Sequence, residues 1–189
     1  MSEDAIDISV VFSFWNEEEN LDELISKTVK ALETADVSFE VIFVNDVSTD
    51  GSLEILRKHH EQDSRIKTIT TARNIGVNPC YLAGMHYSSG AAVVTLDADL
   101  QDPPEVMVEM IAKWREGADV VYTTRSRREG ESAFKMMVTK YAYRIINAIS
   151  DVALPVDAGM YRLMNRRVID QLLVMNENEP YLRGLITWV

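Results

Sequence analysis

The sequence predicts an α/β domain with a mostly parallel sheet, because short apolar runs alternate along the chain with stretches of helical periodicity. The runs Ile8–Phe14, Phe39–Val44 and Ala92–Leu96 have the length and composition of buried strands. The first two are separated by a helical pattern that extends from Leu21 to Leu32. Alternation at this spacing is typical of βαβ units, in which successive strands run parallel.

The other elements follow in order along the chain. A short helix is predicted around Leu53 to His60, a third strand at Ile66–Thr71 and a helix at Pro79–Ser88. Pro103 and Pro104 open a further helix, since proline is tolerated in the first turn. That helix is expected to run to Glu116 with Gly117 as its C-cap, before a fifth strand at Asp119–Thr123. Beyond Arg125 the pattern is helical, chiefly from Phe134 to Ile149, and predicts no further strand.

Composition excludes several classes of protein. The chain has 189 residues, of which 47% are hydrophobic and 26% charged, so we expect one domain over residues 1–189 with a substantial core. A single cysteine rules out an internal disulfide and fits a reducing compartment. A net charge of −11 argues against nucleic-acid binding. With no apolar run approaching about 18 residues, we expect a soluble, intracellular domain.

The charge is divided unevenly between two parts of the chain. Residues 1–122 carry 9 Lys and Arg against 23 Asp and Glu, whereas residues 123–189 carry 10 against 7. Six of those ten cations lie between Arg125 and Arg144. This run is either a solvated helix face or a surface that binds anions.

Polar clusters follow three of the predicted strands. They are Asn16–Glu18 after the first strand, Asn45–Asp46 after the second and Asp97–Asp99 after the fourth. Ligands of open parallel sheets bind outside the carboxyl ends of the strands, so these clusters predict a binding site there.

The Asp97–Asp99 cluster is the strongest indication of chemistry. Side chains two residues apart on a strand point to the same side, and two carboxylates with phosphate oxygens suit Mg²⁺ or Mn²⁺. The alternative is that these acids cap the helix that begins near Pro103, although Asp102 is better placed to do so. Asn45 and Asp46 either contact a nucleobase edge or stabilise a turn, and Arg73–Gly76 reads as a turn with glycine at positive φ. Dinucleotide and P-loop motifs are absent.

Four motifs in this order resemble the family 2 glycosyltransferases of the GT-A fold: SFWNEEENL at 13–21, NDVSTDGS at 45–52, RNIG at 73–76 and DADLQDPPE at 97–105. Within that family, the last of these, with REGES at 128–132 and VDAGMYRLMNRRV at 156–168, is most similar to polyprenyl-phosphate glycosyltransferases. The resemblance covers essentially the whole chain. It implies a GT-A fold, a Rossmann-like, mostly parallel sheet flanked by helices.

The resemblance also implies roles for individual residues. The donor-binding residues that it implies are Ser13, Trp15 and Glu17 around the nucleoside, Asn45 and Asp46 at the base, and Asp97 and Ala98 at the sugar diphosphate. It makes Asp97 and Asp99 ligands of Mg²⁺ or Mn²⁺, with Gln101 close to the reacting groups. The acceptor-binding residues that it implies are Arg125, Arg128, Lys135 and Arg162. Asp157 matches an acid proposed as base or substrate contact.

The implied activity is the metal-dependent, inverting transfer of a sugar from a nucleotide-sugar to polyprenyl phosphate at the cytoplasmic face of a membrane. UDP-glucose is favoured over GDP-mannose as the donor, and a homo-oligomer is left open. Residues 1–122 would form the donor half and residues 123–189 the acceptor half. Because the chain stops inside an R-G-L-x-x-W motif at 183–189, we expect a fragment of a longer protein whose membrane helices follow.

Three departures from the family pattern keep other functions open. Ser13 stands where the family usually has proline, and Asn45 and Met160 stand where relatives often carry acids. The alternatives are a family 2 enzyme with a non-lipid acceptor and a catalytically silent protein that binds nucleotide-sugars.

Overall fold

The computed structural model describes residues 5–124, 158–175 and 181–189. The strands in these ranges are Ile8–Phe14 (β1), Phe39–Asn45 (β2), Ile66–Thr70 (β3), Ala92–Asp97 (β4), Val120–Thr124 (β5) and Ala158–Asn165 (β6). The helices are Leu21–Thr34 (α1), Ser52–Gln62 (α2), Val77–Tyr87 (α3), Met107–Arg115 (α4), Arg166–Val174 (α5) and Leu182–Trp188 (α6), and a 3₁₀ turn at Pro104–Val106 precedes α4. The five predicted strands are confirmed to within one residue at each end.

The strands form one mixed sheet in the order β3-β2-β1-β4-β6-β5. β1 pairs in parallel with β2 and β4, and β2 pairs in parallel with β3. The carboxyl ends of these four strands therefore meet at one edge of the sheet, where the polar clusters were expected to converge.

The expectation of no strand after Arg125 is wrong, because β6 inserts between β4 and β5 and runs antiparallel to both. Tyr161 and Leu163 pack on one face of the sheet, while Met160 and Met164 pack on the other. Arg162 lies between them and is buried. This charged residue interrupts the apolar run by which a central strand is usually recognised.

Helices cover both faces of the sheet. On one face, α1 and α4 pack over a core in which the rings of Phe12 and Phe43 stack at 4.8 Å. On the other face, α3, α5 and α6 pack through residues that include Tyr81, Ile169 and Ile186. Within the described ranges, no helix is long and apolar enough to cross a membrane.

Helix α3 lies unusually close to the sheet. A Cβ atom placed on Gly84 would lie 2.2 Å from Val11 Cγ1 and 3.1 Å from Val44 Cγ2. Only glycine permits this close contact, so Gly84 sets the short packing distance between α3 and strands β1 and β2.

Candidate active site

A cleft of about 580 Å³ opens at the carboxyl edge of the parallel strands. Of the predicted donor-site and catalytic residues, those that line it are Ser13, Trp15, Glu17, Asp46, Asp97, Ala98 and Asp99. They come from the carboxyl ends of β1 and β4 and from the loops after β1, β2 and β4, so the topology brings together side chains that are far apart in the sequence.

Left-handed backbone conformations cluster in these loops. Asn16, Val47 and Leu100 have φ values of 56°, 62° and 58°. A positive φ is unfavourable for a β-branched residue such as Val47, and strain of this kind concentrates at functional sites. The loops after β1 and β2 also hold each other, since Ser48 Oγ accepts from Asn16 N at 2.9 Å and Asn16 Oδ1 accepts from Thr49 N at 2.7 Å.

Asn45 does not line the cleft. Its side chain is completely buried, and Oδ1 accepts a hydrogen bond from the backbone N–H of Ser48 at 2.8 Å. Its Nδ2 has no hydrogen-bond partner within the residues that the structure describes. This geometry favours the turn-stabilising alternative over contact with a base.

Asp46 reaches the cleft, but its carboxylate is held by the chain itself. Oδ1 accepts from the N–H of Ile75 at 2.8 Å and from Thr71 Oγ1 at 3.2 Å, and Oδ2 accepts from the N–H of Gly76 at 2.9 Å. The expected glycine at positive φ is confirmed, because Gly76 has φ of 84°. Asp46 therefore anchors the Arg73–Gly76 turn to the end of β2.

The single cysteine lies behind this wall of the cleft. Burial and the nearby carboxylate of Asp46 raise the pKa of Cys80 to about 11, although a hydrogen bond with Ser13 opposes the shift. The thiol is therefore protonated at neutral pH and is no nucleophile.

Asp97 and Asp99 both face the cleft, as their spacing predicts. Asp97 is half-buried, and its Oδ1 accepts a hydrogen bond from Tyr81 Oη at 2.5 Å. Burial, followed by the charges of Asp99 and Asp102, raises the pKa of Asp97. Asp99 is exposed, and its Oδ1 accepts from the N–H of Gln101 at 3.1 Å. Gln101 is thus next to Asp99 without lining the cleft itself.

These two carboxylates fit a hard divalent ion that completes its coordination with other oxygens. The part of the chain that the structure describes contains no cluster of three or more His, Cys, Asp or Glu side chains suited to a metal. Mg²⁺ is commonly held by one or two carboxylates together with substrate phosphates and water. The donor set at Asp97 and Asp99 matches that pattern.

Arg183 is a cleft residue that the sequence reasoning did not assign to the site. It lies in the first turn of α6, and its charge acts to lower the pKa values of both Asp97 and Arg162. The signal that could have found it is its place in the R-G-L-x-x-W motif. Met160, one of the departures from the family pattern, also lines the cleft.

The predicted acceptor residues are only partly described. Arg162 is 2% exposed and donates from Nε to the carbonyl oxygen of Gly159 at 3.0 Å, and it does not line the cleft. Burial, reinforced by Arg183, lowers the pKa of Arg162. The other predicted residues lie outside the described ranges, namely Arg125, Arg128, Lys135 and Asp157.

Known proteins resemble this chain along most of its length. The family model "Glycosyl transferase family 2" matches residues 9–173. The chain is 42% identical over 184 residues to the uncharacterized glycosyltransferase YkcC of Bacillus subtilis, covering 97% of this chain and 57% of that protein. It is 34% identical over 183 residues to the bactoprenol glucosyl transferase of Shigella phage SfV, covering 96% and 59%. It is 36% identical over 176 residues to the undecaprenyl-phosphate 4-deoxy-4-formamido-L-arabinose transferase of Salmonella choleraesuis, covering 93% and 54%. The chain thus spans little more than half the length of these relatives.

Solved structures share the fold at lower identity. Staphylococcus aureus TarS in complex with UDP-GlcNAc has a TM-score of 0.64 at 19% identity, covering 97% of this chain and 53% of that chain. Mannosyl-3-phosphoglycerate synthase from Rubrobacter xylanophilus has a TM-score of 0.65 at 16% identity, covering 86% and 54%. The mannosyltransferase PcManGT of Pyrobaculum calidifontis, in complex with GDP-Man and Mn²⁺, has a TM-score of 0.59 at 17% identity, covering 89% and 47%. The expected GT-A fold is confirmed. With the family model matched over most of its residues, the chain belongs to glycosyl transferase family 2.

Proposed function

We propose that this chain is the catalytic domain of a metal-dependent, inverting glycosyltransferase that moves a sugar from a nucleotide-sugar to polyprenyl phosphate. The observation that carries this proposal is the cleft in which Asp97 and Asp99 lie with the cation Arg183 at the carboxyl edge of the sheet. The names of the bactoprenol and undecaprenyl-phosphate relatives support a lipid phosphate as acceptor. The name of the bactoprenol glucosyl transferase favours glucose as the sugar. We further propose UDP-glucose rather than GDP-mannose as the donor and the cytoplasmic face of a membrane as the place of reaction.

The cleft offers surfaces suited to a nucleotide. The side chains of Trp15 and Val77 are 56% and 52% exposed and line it, so they present apolar area to a base. Glu17 and Asn78 add hydrogen-bonding groups to the same lining. We assign this region to the nucleoside.

The charges of the cleft explain why a cation is needed. Its lining includes four acids, Glu17, Asp46, Asp97 and Asp99, and among the described residues only one Arg or Lys, Arg183. A divalent ion held by Asp97 and Asp99 would offset the repulsion of a diphosphate and stabilise it as a leaving group. Arg183 would donate hydrogen bonds to the same phosphate oxygens, where negative charge increases as the sugar departs.

The acceptor requires alignment more than it requires a strong base. The second pKa of a phosphate monoester is about 6, so the lipid phosphate is largely ionised at neutral pH. One of its oxygens bonds to C1 of the sugar as the bond from C1 to the diphosphate breaks, and the electron pair leaves with the nucleotide. Attack opposite the leaving group inverts C1. We assign the alignment of the acceptor to Arg125, Arg128 and Lys135, with Asp157 as base or substrate contact, and leave out Arg162 because it is buried away from the cleft.

Two measurements test this proposal. A thermal-shift panel compares UDP, GDP, UDP-glucose and GDP-mannose, each with and without Mn²⁺ or Mg²⁺, on the chain and on Asp99→Asn. At a concentration of a hundred times its Kd, a ligand stabilises the folded protein by about 2.7 kcal/mol. We expect the uridine compounds to raise the melting temperature in a metal-dependent way. Asp99→Asn should abolish this shift. Asp170→Asn, which replaces an exposed acid on α5, should leave the shift unchanged. No shift with any nucleotide would contradict the proposal.

A transfer assay then separates the remaining alternatives. The chain is incubated with radiolabelled UDP-glucose and undecaprenyl phosphate in detergent, and the expected product is an acid-labile glycolipid. Transfer to a soluble sugar alone would identify the non-lipid alternative. Donor binding with neither transfer nor hydrolysis would identify the silent binder, which the residues Asn45 and Met160 favour.

A further inference from the structure

Tyr81 contacts the candidate metal site from behind the cleft. Its side chain is completely buried on α3, and its hydroxyl donates to Asp97 Oδ1 at 2.5 Å. This contact joins α3 to the end of β4. The hydrogen bond has an anionic acceptor whenever Asp97 is ionised, so it belongs to the stronger class of protein hydrogen bonds.

The position of Tyr81 is fixed by the packing of its helix. Gly84, one turn further along α3, lies against Val11 so closely that no Cβ fits between them. At the start of α3, the N–H of Gly76 donates to Asp46 Oδ2 at 2.9 Å. The helix is therefore held to the sheet on both sides of Tyr81, and the Tyr81 side chain is completely buried, which limits how far its hydroxyl can move with the Asp97 carboxylate.

A carboxylate group is planar and rigid, so fixing one of its oxygens restricts where the other oxygen can point. Because Asp97 Oδ1 is held by Tyr81, the orientation of Oδ2 is set by a rigid helix and not by solvent. Groups that orient metal ligands in this way strongly affect metal affinity in proteins. Asp99, in contrast, is exposed, and its Oδ1 accepts a hydrogen bond from the backbone N–H of Gln101.

We propose that Tyr81 is a positioning residue that orients Asp97 for binding a divalent cation together with the donor diphosphate. This inference rests on the proposed function, since it names a further part of the same site. Tyr81 itself would touch neither the cation nor the donor.

The test removes one oxygen atom from each of two buried tyrosines. Tyr81→Phe deletes the contact with Asp97, whereas Tyr161→Phe deletes a buried hydroxyl that donates to the carbonyl oxygen of Pro103 at 3.1 Å. Mn²⁺ is titrated into the chain in the presence of UDP, and free Mn²⁺ is followed by electron paramagnetic resonance. UDP affinity without metal and thermal unfolding are measured in parallel.

We expect Tyr81→Phe to weaken Mn²⁺ binding by about ten- to a hundredfold while UDP affinity without metal stays unchanged. Tyr161→Phe should retain the original Mn²⁺ affinity. Equal Mn²⁺ affinity in Tyr81→Phe and the unchanged chain would overturn the inference, as would an equal loss of Mn²⁺ affinity in both variants. If the unchanged chain binds no Mn²⁺ with UDP, the proposed metal site fails and this inference fails with it.

Discussion

Gly76 and Asp46 are joined by a hydrogen bond in which the backbone N–H of Gly76 donates to Asp46 Oδ2 at 2.9 Å. It ties the end of β2 to the first residues of α3. One turn later, Tyr81 ties the same helix to Asp97 at the end of β4. Helix α3 therefore connects the wall that we assign to the nucleoside with the acids that we assign to the metal.

Asp46→Ala should loosen the turn that leads into α3. The substitution leaves the N–H groups of Ile75 and Gly76 without their acceptor, and each hydrogen bond to a carboxylate contributes about 1.5–3 kcal/mol. We expect faster amide hydrogen exchange at both residues, measured by NMR, and weaker UDP binding. Asp22→Ala is the control, because this exposed acid pairs with His59 at the surface and such pairs contribute at most about 1 kcal/mol. Unchanged exchange at Ile75 and Gly76 would contradict the assigned role.

Gly84→Ala should destabilise the protein, although alanine is favoured over glycine in most helices. The new Cβ would lie 2.2 Å from Val11 Cγ1, and overpacking of this kind costs about 1–3 kcal/mol. Urea unfolding measures the loss. In a double-mutant cycle, Val11→Ala should make room for the methyl group, so the double variant should lose less than the sum of the single losses. Additive losses would show that Val11 is not the obstacle.

The strands were predictable from short runs of apolar and β-branched residues, and the site was predictable where strand ends converge. β1 matches its predicted limits because all seven of its residues are buried and all but Ser9 and Ser13 are apolar. β6 was missed because buried Arg162 breaks its apolar pattern. Asp97 and Asp99 were found from their spacing, whereas Tyr81 and Arg183 reach the site only through the packing of α3 and α6.

Glu40 should make stability depend on pH in the acid range. Its side chain is 1% exposed and accepts hydrogen bonds from Ser9 Oγ at 2.7 Å, Ser89 N at 2.7 Å and Lys67 Nζ at 2.6 Å. Burial opposes its ionisation, but these donors outweigh burial and lower the pKa of Glu40 below its ordinary value of 4.5. The stabilisation is therefore complete above about pH 4.5 and is lost as the pH falls through the lowered pKa of the folded state.

Glu40→Gln tests this dependence. We expect a loss of about 1–3 kcal/mol at pH 7, and a difference from the unchanged chain that shrinks as the pH falls below about 4.5. The free energy of unfolding is measured in urea between pH 7 and pH 3.5. Glu54→Gln, which removes an exposed acid paired with Lys58 at 3.7 Å, should change stability by less than about 1 kcal/mol. A difference that stays constant over this range would contradict the assignment to Glu40.

Arg183→Gln should weaken binding of UDP more than binding of uridine, because the side chain lines the cleft beside Asp97 and Asp99 and would contact the diphosphate. A hydrogen bond to a charged group contributes about 1.5–3 kcal/mol, so its loss corresponds to a tenfold or greater rise in the Kd for UDP. Arg183→Lys keeps the positive charge but lacks the forked guanidinium, so its affinity for UDP should lie between those of the unchanged chain and Arg183→Gln. Isothermal titration calorimetry with UDP and uridine measures the effect. The control is Arg167→Gln, which removes a solvent-exposed cation of α5 that pairs with Asp119. It should leave the affinities for UDP and for uridine unchanged. An equal loss for UDP and uridine in Arg183→Gln would place this side chain at the nucleoside, and no loss for either would remove it from the binding site.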